Sequence, residues 1–344
     1  MKPRLIDIAH RASVSSSTVS QVLRGKPVAS KETQLRILQV AKELGYELGQ
    51  NNKDLTKEIT FVKIISHGNI LNPDHFLFVN DYIDGIIGEA SKHQYGVIVD
   101  SFDLRESSMH HVLTKLRAYN TSGIIILATE LNPKNLKQFE NLSVPYVFLD
   151  AYYDYLPYPF FDMNNTDSIF QILEYLKSNG HQKIGICSSV CESANYQRRR
   201  SDFKTCMEKL GLVEYDYNTF CMKEGKDNEY KKIKEALLTN RGNLPSALFC
   251  VSDALALTVL KGAKEIGIDI PNEMSLIGFD NLEVDEMVIP PLTSVDVPKR
   301  AIAQEATASL ITMIESEEKQ FPKKVLLSGT IIYRDSVATL KQEL

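Results

Sequence analysis

LIDIAHRASVSSSTVSQVL, residues 5–23, is the stretch on which the reading of the whole chain turns. Leu5, Ile8, Ala9 and Ala12 recur at helical spacing and predict a short amphipathic helix from about Pro3 to Arg11. Ser13-Val14-Ser15 interrupts it. Ser15 is suited to cap a second helix from Ser16 to about Leu23, with Val19, Val22 and Leu23 on its inner face. Arg24-Gly25-Lys26-Pro27 stops that helix. A third, capped by Ser30, turns Thr33, Ile37, Val40, Ala41 and Leu44 inward and closes at Gly45-Tyr46. Two short helices joined by a tight turn and braced by a third describe a helix-turn-helix. A plain three-helix miniature bundle fits the same spacing.

In a helix-turn-helix the second helix enters the major groove and offers its N-terminal residues to base edges. Those residues here are Ser16, Ser17 and, one turn on, Gln21, whose amide can pair bidentately with an adenine edge. Thr18 and Ser20 are short hydroxyls suited to phosphate oxygens. Charge points the same way once it is resolved along the chain. The net charge is −5, yet residues 1–46 carry eight basic side chains against three acidic ones. A small basic module on an acidic body is the asymmetry expected of a nucleic-acid partner. Residues 47–60 are polar and without periodicity, a linker by composition.

From residue 61 onward, short β-rich apolar runs alternate with amphipathic helical segments. The runs are Phe61–Ser66, Val97–Ser101, Gly123–Leu127, Tyr146–Asp150, Lys183–Cys187, Ala247–Val251 and Ser275–Phe279. Helical patterns lie near 76–93, 106–119, 132–140, 164–178, 196–210, 227–239 and 253–266. Such alternation predicts parallel sheets with right-handed crossovers, here in two α/β lobes. Ligands of these folds sit at the carboxyl ends of the strands. The residues found there include Phe78, Asp150, Ser252-Asp253 and Asp280-Asn281, with Arg198, Arg199 and Arg200 opening the helix after the fifth run. Carboxylates, an arginine and aromatics suit a polyhydroxylated ligand, since aspartates accept from hydroxyls and an aromatic face covers a sugar's apolar side.

Several classes are set aside by what the chain lacks. No apolar stretch is long enough for a membrane-spanning helix, and Asp7, His10 and Arg11 break any signal-peptide core. Five cysteines without a C-x-x-C pair predict a reduced, cytoplasmic protein without structural zinc. No Gly-rich phosphate loop, nucleophile elbow or metal-ligand pair occurs, and adjacent His110-His111 cannot share a metal from one helix face. Neither an enzyme, a cofactor nor a metal is expected. Asp150 and Asp280 as an acid/base pair of glycosidase type is the alternative.

Leu5-Ile6-Asp7-Ile8-Ala9, Ala12-Ser13-Val14-Ser15 and Thr18-Val19-Ser20-Gln21-Val22-Leu23 resemble the opening of the lactose-repressor/galactose-repressor (LacI/GalR) family. Leu38, Ala41 and Leu44-Gly45-Tyr46 are similar to that family's third helix. Further likenesses are the run from Gly267-Ile268-Asp269-Ile270-Pro271 to Gly278-Phe279-Asp280-Asn281, Pro290-Pro291-Leu292-Thr293-Ser294-Val295, and Tyr333-Arg334-Asp335-Ser336. They span Leu5 to Ser336. The resemblance implies an all-α helix-turn-helix headpiece (1–46), a hinge (47–60), and a two-lobed periplasmic-binding-protein-like core (61–344). The N-lobe takes about 61–161 and 292–322, the C-lobe about 162–291 and 323–344, with chain crossings near 160–163, 290–292 and 321–325.

The departures matter. The family has arginine where Gln21 stands and asparagine where Arg24 stands, so the operator should differ from the common half-site. In such proteins the hinge folds on DNA and wedges a leucine into the minor groove, as other minor-groove binders do. Leu55 matches that leucine and Lys53 its basic neighbour. Leu48-Gly49 replaces the family's Pro-Asn and Asn52 its alanine, and these poor helix formers raise the cost of hinge folding. A plain tether is the alternative there. In the core, Arg199 matches the effector-binding arginine, four residues before Phe203. Asp280 matches the effector-binding aspartate, Asp150 a cleft residue, and Phe78 lies in the first cleft loop. Ser252 stands where many relatives have asparagine. The function so implied is a homodimeric, sequence-specific transcription regulator on a palindromic double-stranded operator. It would be a repressor of sugar-utilisation genes controlled by a sugar or sugar derivative in the cleft. Control by a partner protein on the N-lobe is the runner-up. The basic head argues against a solute-binding protein.

Overall fold

The computed structural model describes residues 5–12, 14, 18–19, 22, 29–44, 57–68, 73–189, 193–215, 220–222, 226–318 and 320–340. They fall into two separate units, Met1–Thr56 and Lys57–Leu344.

The smaller unit contains α1 (Leu5–Ala12) and α2 (Lys31–Glu43), and residues 18, 19 and 22 are helical as well. Ile8, Ala9, Ala12, Val19, Val22, Ile37, Val40 and Ala41 form one buried cluster. These are positions that the helical spacing turns inward. Burial of each larger aliphatic among them contributes about 1.5–3 kcal/mol before the entropy of ordering. Ser30 opens α2 as expected, its Oγ accepting from the Thr33 backbone N–H at 3.2 Å.

The larger unit is built on two parallel sheets. The first has six strands: β1 (Lys57–Ile65), β2 (Tyr95–Asp103), β3 (Gly123–Leu127), β4 (Tyr146–Leu149), β5 (Phe160–Met163) and β12 (Lys324–Leu327). Their order is β12-β5-β4-β3-β1-β2. Central β3 reads Gly-Ile-Ile-Ile-Leu and every residue is buried, the continuous apolar run of a strand covered on both faces. Helix α3 (Pro73–Lys92) follows β1, α4 (Met109–Ala118) follows β2 and α5 (Pro133–Lys137) follows β3.

The second sheet has order β10-β9-β6-β7, with β8 paired to β6. Its strands are β6 (Lys183–Ser189), β7 (Val213–Glu214), β8 (Cys221–Met222), β9 (Ala247–Cys250) and β10 (Ser275–Ile277). Its helices are α6 (Asn165–Ser178), α7 (Ala194–Leu210), α8 (Lys226–Thr239) and α9 (Asp253–Ile266). Helix α10 (Lys299–Glu315) returns to the first sheet and lies against α3. The two meet at Gly85, where a Cβ would sit 2.6 Å from the Arg300 carbonyl oxygen. Antiparallel β11 (Ser294–Asp296) and β13 (Thr330–Ile332) tie two of the crossing segments together. The tail then joins the second lobe, where the Leu276 N–H donates to Ser336 O at 2.8 Å.

The strands of the two sheets fall at limits that differ from those expected for the lobes. Phe160–Met163, expected as a crossing, and Lys324–Leu327, overlapping the crossing expected near 321–325, are strands that pair with each other in the first sheet. Those residues of 162–163 and 323–327 assigned to the C-lobe therefore belong with the N-lobe sheet. Asp162 breaks the apolar run of the first strand, and the second is an edge strand with no buried residue. The linker expected through residue 60 ends earlier, because β1 starts at Lys57 and pairs with β2 along its whole length. Helix α7 starts at Ala194, so Arg198–Arg200 lie in its second turn rather than opening it. No helix among the described residues is long and apolar enough to cross a membrane.

Candidate functional site

Of the residues expected at DNA, Thr18 is described, half-buried beside buried Val19. Ser16, Ser17, Ser20, Gln21, Arg24, Lys53 and Leu55 lie outside the described residues.

In the larger unit the strand ends of both sheets converge on a partly open cavity. Thr129 and Glu130 reach it from the loop after β3, Asp150 from the end of β4, and Met163 from β5. Ser193, Asn195, Tyr196 and Arg199 line it from the start of α7, Asp280 from the loop after β10, and Phe78 from α3. Phe78, Asp150, Arg199 and Asp280 thus line one cavity. Ser252 is not in the lining. Its hydroxyl caps α9, accepting from the Leu255 N–H at 3.4 Å, which a serine immediately before a helix-opening aspartate is suited to do.

The guanidinium of Arg199 is 2% exposed. Its Nε donates to Asn165 Oδ1 at 2.9 Å, and Nη1 donates to the Val251 carbonyl. Its Cζ lies 3.6 Å from the Phe279 ring centroid, and Nη2 is 3.8 Å from Asp280 Oδ1. The arginine is held rigidly, with one edge turned to the Asp280 carboxylate. Burial pushes the Asp280 carboxyl up to about 7, against the pull of Arg199 and with help from the negative charge of Asp253. Buried Lys299 adds a second cation beside it, its Nζ donating to the Asp280 backbone carbonyl at 2.8 Å, and the carboxylate lines the cavity as an acceptor.

Asp150 is built differently. Oδ1 accepts from Tyr82 OH at 3.0 Å and from Asn195 Nδ2 at 3.2 Å, while Oδ2 accepts from Thr129 Oγ1. Burial still pushes it up to about 6, opposed by those hydrogen bonds and by Arg199 and Lys299. The same burial, with Asp150 alongside, raises Asp162 and Tyr82. Asn195 ties the groups into one network. Nδ2 also reaches Asp162 Oδ1 at 3.2 Å, and Oδ1 accepts from Asn165 Nδ2 at 2.7 Å. Hydrogen bonds therefore run from Arg199 on one lobe to Asp150 on the other. Both aspartates have left-handed backbone, φ 61° at Asp150 and 121° at Asp280. The second value is costly for any non-glycine residue, on the order of 1–3 kcal/mol. Such strain is commonly kept where a side chain must be aimed at a ligand.

Asn195, Ser193, Tyr196, Thr129, Glu130 and Met163 escape the sequence reading. Two signals point to most of them. Asn195 precedes Arg199 by four residues and so shares its helix face. Thr129-Glu130 closely follow β3, a strand plain in its apolar run. Glu130 also fixes the turn after β1, its Oε2 accepting from the N–H groups of Ser66 at 2.6 Å and Gly68 at 3.1 Å. Among the described residues no cluster of three His, Cys, Asp or Glu could hold a metal ion. His110 and His111 are exposed on α4.

Residues 4–47 match the profile described as "Bacterial regulatory proteins, lacI family", and residues 173–337 that of a periplasmic binding protein-like domain. The chain is 27% identical to catabolite control protein A of Priestia megaterium over 98% of its own length and 99% of that protein. It is 26% identical to the HTH-type transcriptional repressor CytR of Escherichia coli K12, over 97% of this chain and 96% of the other. Among solved structures, a transcriptional regulator CelR–cellobiose complex superposes with TM-score 0.71 at 21% identity, covering 97% of this chain and 99% of that one. The lac repressor dimer bound to operator and the anti-inducer ONPF gives TM-score 0.69, also at 21% identity, over 98% and 100%. At that identity the two structures show a shared fold.

Proposed function

Because the chain belongs to the LacI family of bacterial regulatory proteins, we propose that it is a cytoplasmic, sequence-specific transcription regulator that acts as a homodimer on a palindromic operator. It represses sugar-utilisation genes and is controlled by a sugar or sugar derivative in the cavity. The observation that carries this reading is the buried Arg199–Asp280 pair, in a cavity lined from both lobes, in a chain that also bears a helix-turn-helix head. A hydroxyl there can donate to Asp280 and accept from Arg199, with Phe78 and Tyr196 as apolar walls. Ser16, Ser17, Thr18, Ser20, Gln21 and Arg24 contact DNA from the head, and Lys53 and Leu55 from the hinge. Occupancy of the cavity and affinity for operator are reciprocally coupled.

Selection of genomic fragments by the purified full-length protein, with and without a panel of sugars and phosphosugars, tests the reading. A palindromic site whose recovery changes with one sugar is the expected result. A site recovered identically in every condition would count against cleft control. On the selected site, Gln21→Ala costs about 1–3 kcal/mol and relaxes one base position, leaving affinity for random DNA unchanged. An equal loss on both DNAs would reduce Gln21 to a backbone contact.

Binding of that sugar is pH-dependent with a defined sign. Hydroxyls donate to ionised Asp280, so protonation competes with the ligand. With a carboxyl at about 7, affinity is full above neutrality and drops about tenfold between pH 8 and pH 6. Titration calorimetry in buffers of different ionisation enthalpy should show proton release on binding. Asp280→Asn should flatten the profile.

A further inference from the structure

The loop that presents Asp280 is strained not at one residue but at two, φ 121° at Asp280 and 52° at Asn281. What holds it there is a small buried network. The Asn281 N–H donates to Ser294 Oγ at 3.2 Å, and that hydroxyl donates to Asp253 Oδ1 at 2.6 Å. The Leu282 N–H donates to Asp253 Oδ2 at 3.1 Å. Asp253 thus fastens both residues that follow Asp280, one directly and one through Ser294. Against it lies Asp285, from the short 3₁₀ turn Glu283–Glu286. Asp285 is fully buried, and neither of its carboxyl oxygens closes a hydrogen bond with a donor of the described residues, the nearby Leu282 N–H being given to Asp253.

An ionised carboxylate in that position would be doubly penalised, unsolvated and pressed against a second carboxylate. The charged groups around it are few. Asp253 faces it from α9, and Arg334 approaches from beyond β13. Arg334 is already engaged, its Nη2 donating to Asn281 Oδ1 at 2.8 Å and to Glu286 Oε1 at 3.1 Å. Glu283 and Glu286 of the same turn are exposed. One protonation pattern relieves both penalties.

We propose that Asp285 is a neutral carboxylic acid whose O–H donates to the Asp253 carboxylate, making it the positioning residue that locks the Asp280 loop. Burial and the neighbouring Asp253 push its carboxyl up to about 9, in keeping with a proton retained at neutral pH. Loss of that proton sets two buried carboxylates against each other. Asp253 must then turn away, releasing the Asn281 and Leu282 amides and with them the aim of Asp280. The functional consequence rests on the reading of Asp280 as the effector contact. The lock itself does not, so its test uses the ligand-free full-length chain.

Wild type, Asp285→Asn and Asp285→Ala are compared from pH 6 to 10.5 by thermal unfolding and by hydrogen exchange of the 279–292 segment, normalised to intrinsic rates. The folded-state carboxyl lies above its unfolded value, so wild-type stability falls as pH rises, levelling off above about 9. Asparagine keeps a donor toward Asp253 and carries no titration. Its unfolding temperature should therefore pull ahead of wild type as far as about pH 9 and keep a constant lead beyond. Exchange in the segment should accelerate at least tenfold in wild type above that pH, and not in Asp285→Asn. Asp285→Ala, with no donor, should exchange rapidly at every pH. The proposal is overturned if the gap between wild type and Asp285→Asn does not vary with pH, or if Asp285→Asn exchanges rapidly at neutrality. Loss of sugar response with a normal exchange profile would instead count against the reading of the cavity.

Discussion

Arg199→Leu lowers the unfolding free energy of the larger unit by about 3–5 kcal/mol at pH 8, the range for removing one partner of a buried pair. Leucine restores apolar contact with Phe279 but leaves Asp280 without its nearest cation. It also strips Asn165 Oδ1 and the Val251 carbonyl of their donors. The loss should be distinctly smaller at pH 5.5. Without the guanidinium the Asp280 carboxyl rises further above 7, so at pH 8 the folded variant must take up a proton or keep a charge attended only by Lys299, a cost that vanishes in acid where the carboxyl is protonated in either protein. Urea unfolding at the two pH values measures the difference. An equal loss at both would mean that packing, not charge, is what Arg199 contributes. Sugar binding should be abolished at both.

The second large effect is expected at a residue with no side chain. A Cβ on Gly278 would fall well inside contact distance of Asp253 Oδ1 and 3.1 Å from Leu292 Cδ2. The carboxylate cannot swing aside without giving up Ser294 and Leu282. Gly278→Ala should therefore combine overpacking with broken charge-assisted hydrogen bonds, about 3–5 kcal/mol in all. At the few degrees per kcal/mol typical of domains this large, the unfolding temperature drops by roughly 10 °C. Gly88→Ala is the control. A Cβ there would meet no atom within 4 Å, and alanine is the better helix former, so stability should hold or rise slightly. A Gly278→Ala protein as stable as wild type would show that the loop carrying Asp280 is free to shift.

The head is legible because a three-helix unit of this size has one small core, and Ile8, Val19, Val22, Ile37 and Val40 announce it by spacing alone. The sheets are legible wherever a strand is buried on both faces, as β3 is. They are not legible at β5, whose apolar run Asp162 interrupts, or at β12, an edge strand with no buried residue that pairs with a partner far away in the chain. The site divides along the same line. Asp150 and Asp280 follow apolar strands closely, and a strand end is a local signal. Asn195 acts through Asp162 and Asn165, a relation set by the start of α7 meeting β5 and the start of α6. Ser252 shows the opposite error. A polar residue at a strand end suggests a ligand contact, yet the nearest unsatisfied donor is in the first turn of its own helix. Asp285 gives no signal, since a buried acid reads in sequence like any acidic residue of a turn.

Because β12 completes the first sheet beside β5, Lys324 pairing with Phe160, two neighbouring strands are separated by about 160 residues of chain. On the ribosome, at roughly 5–20 residues per second, Phe160–Met163 waits on the order of ten to thirty seconds for its outer neighbour. During that interval its four buried-to-be residues form an open sheet edge, the kind that recruits foreign strands. Synthesis thus exposes the lobe to mispairing late. The risk should concentrate in nascent chains that have made the C-lobe but not yet released residue 327.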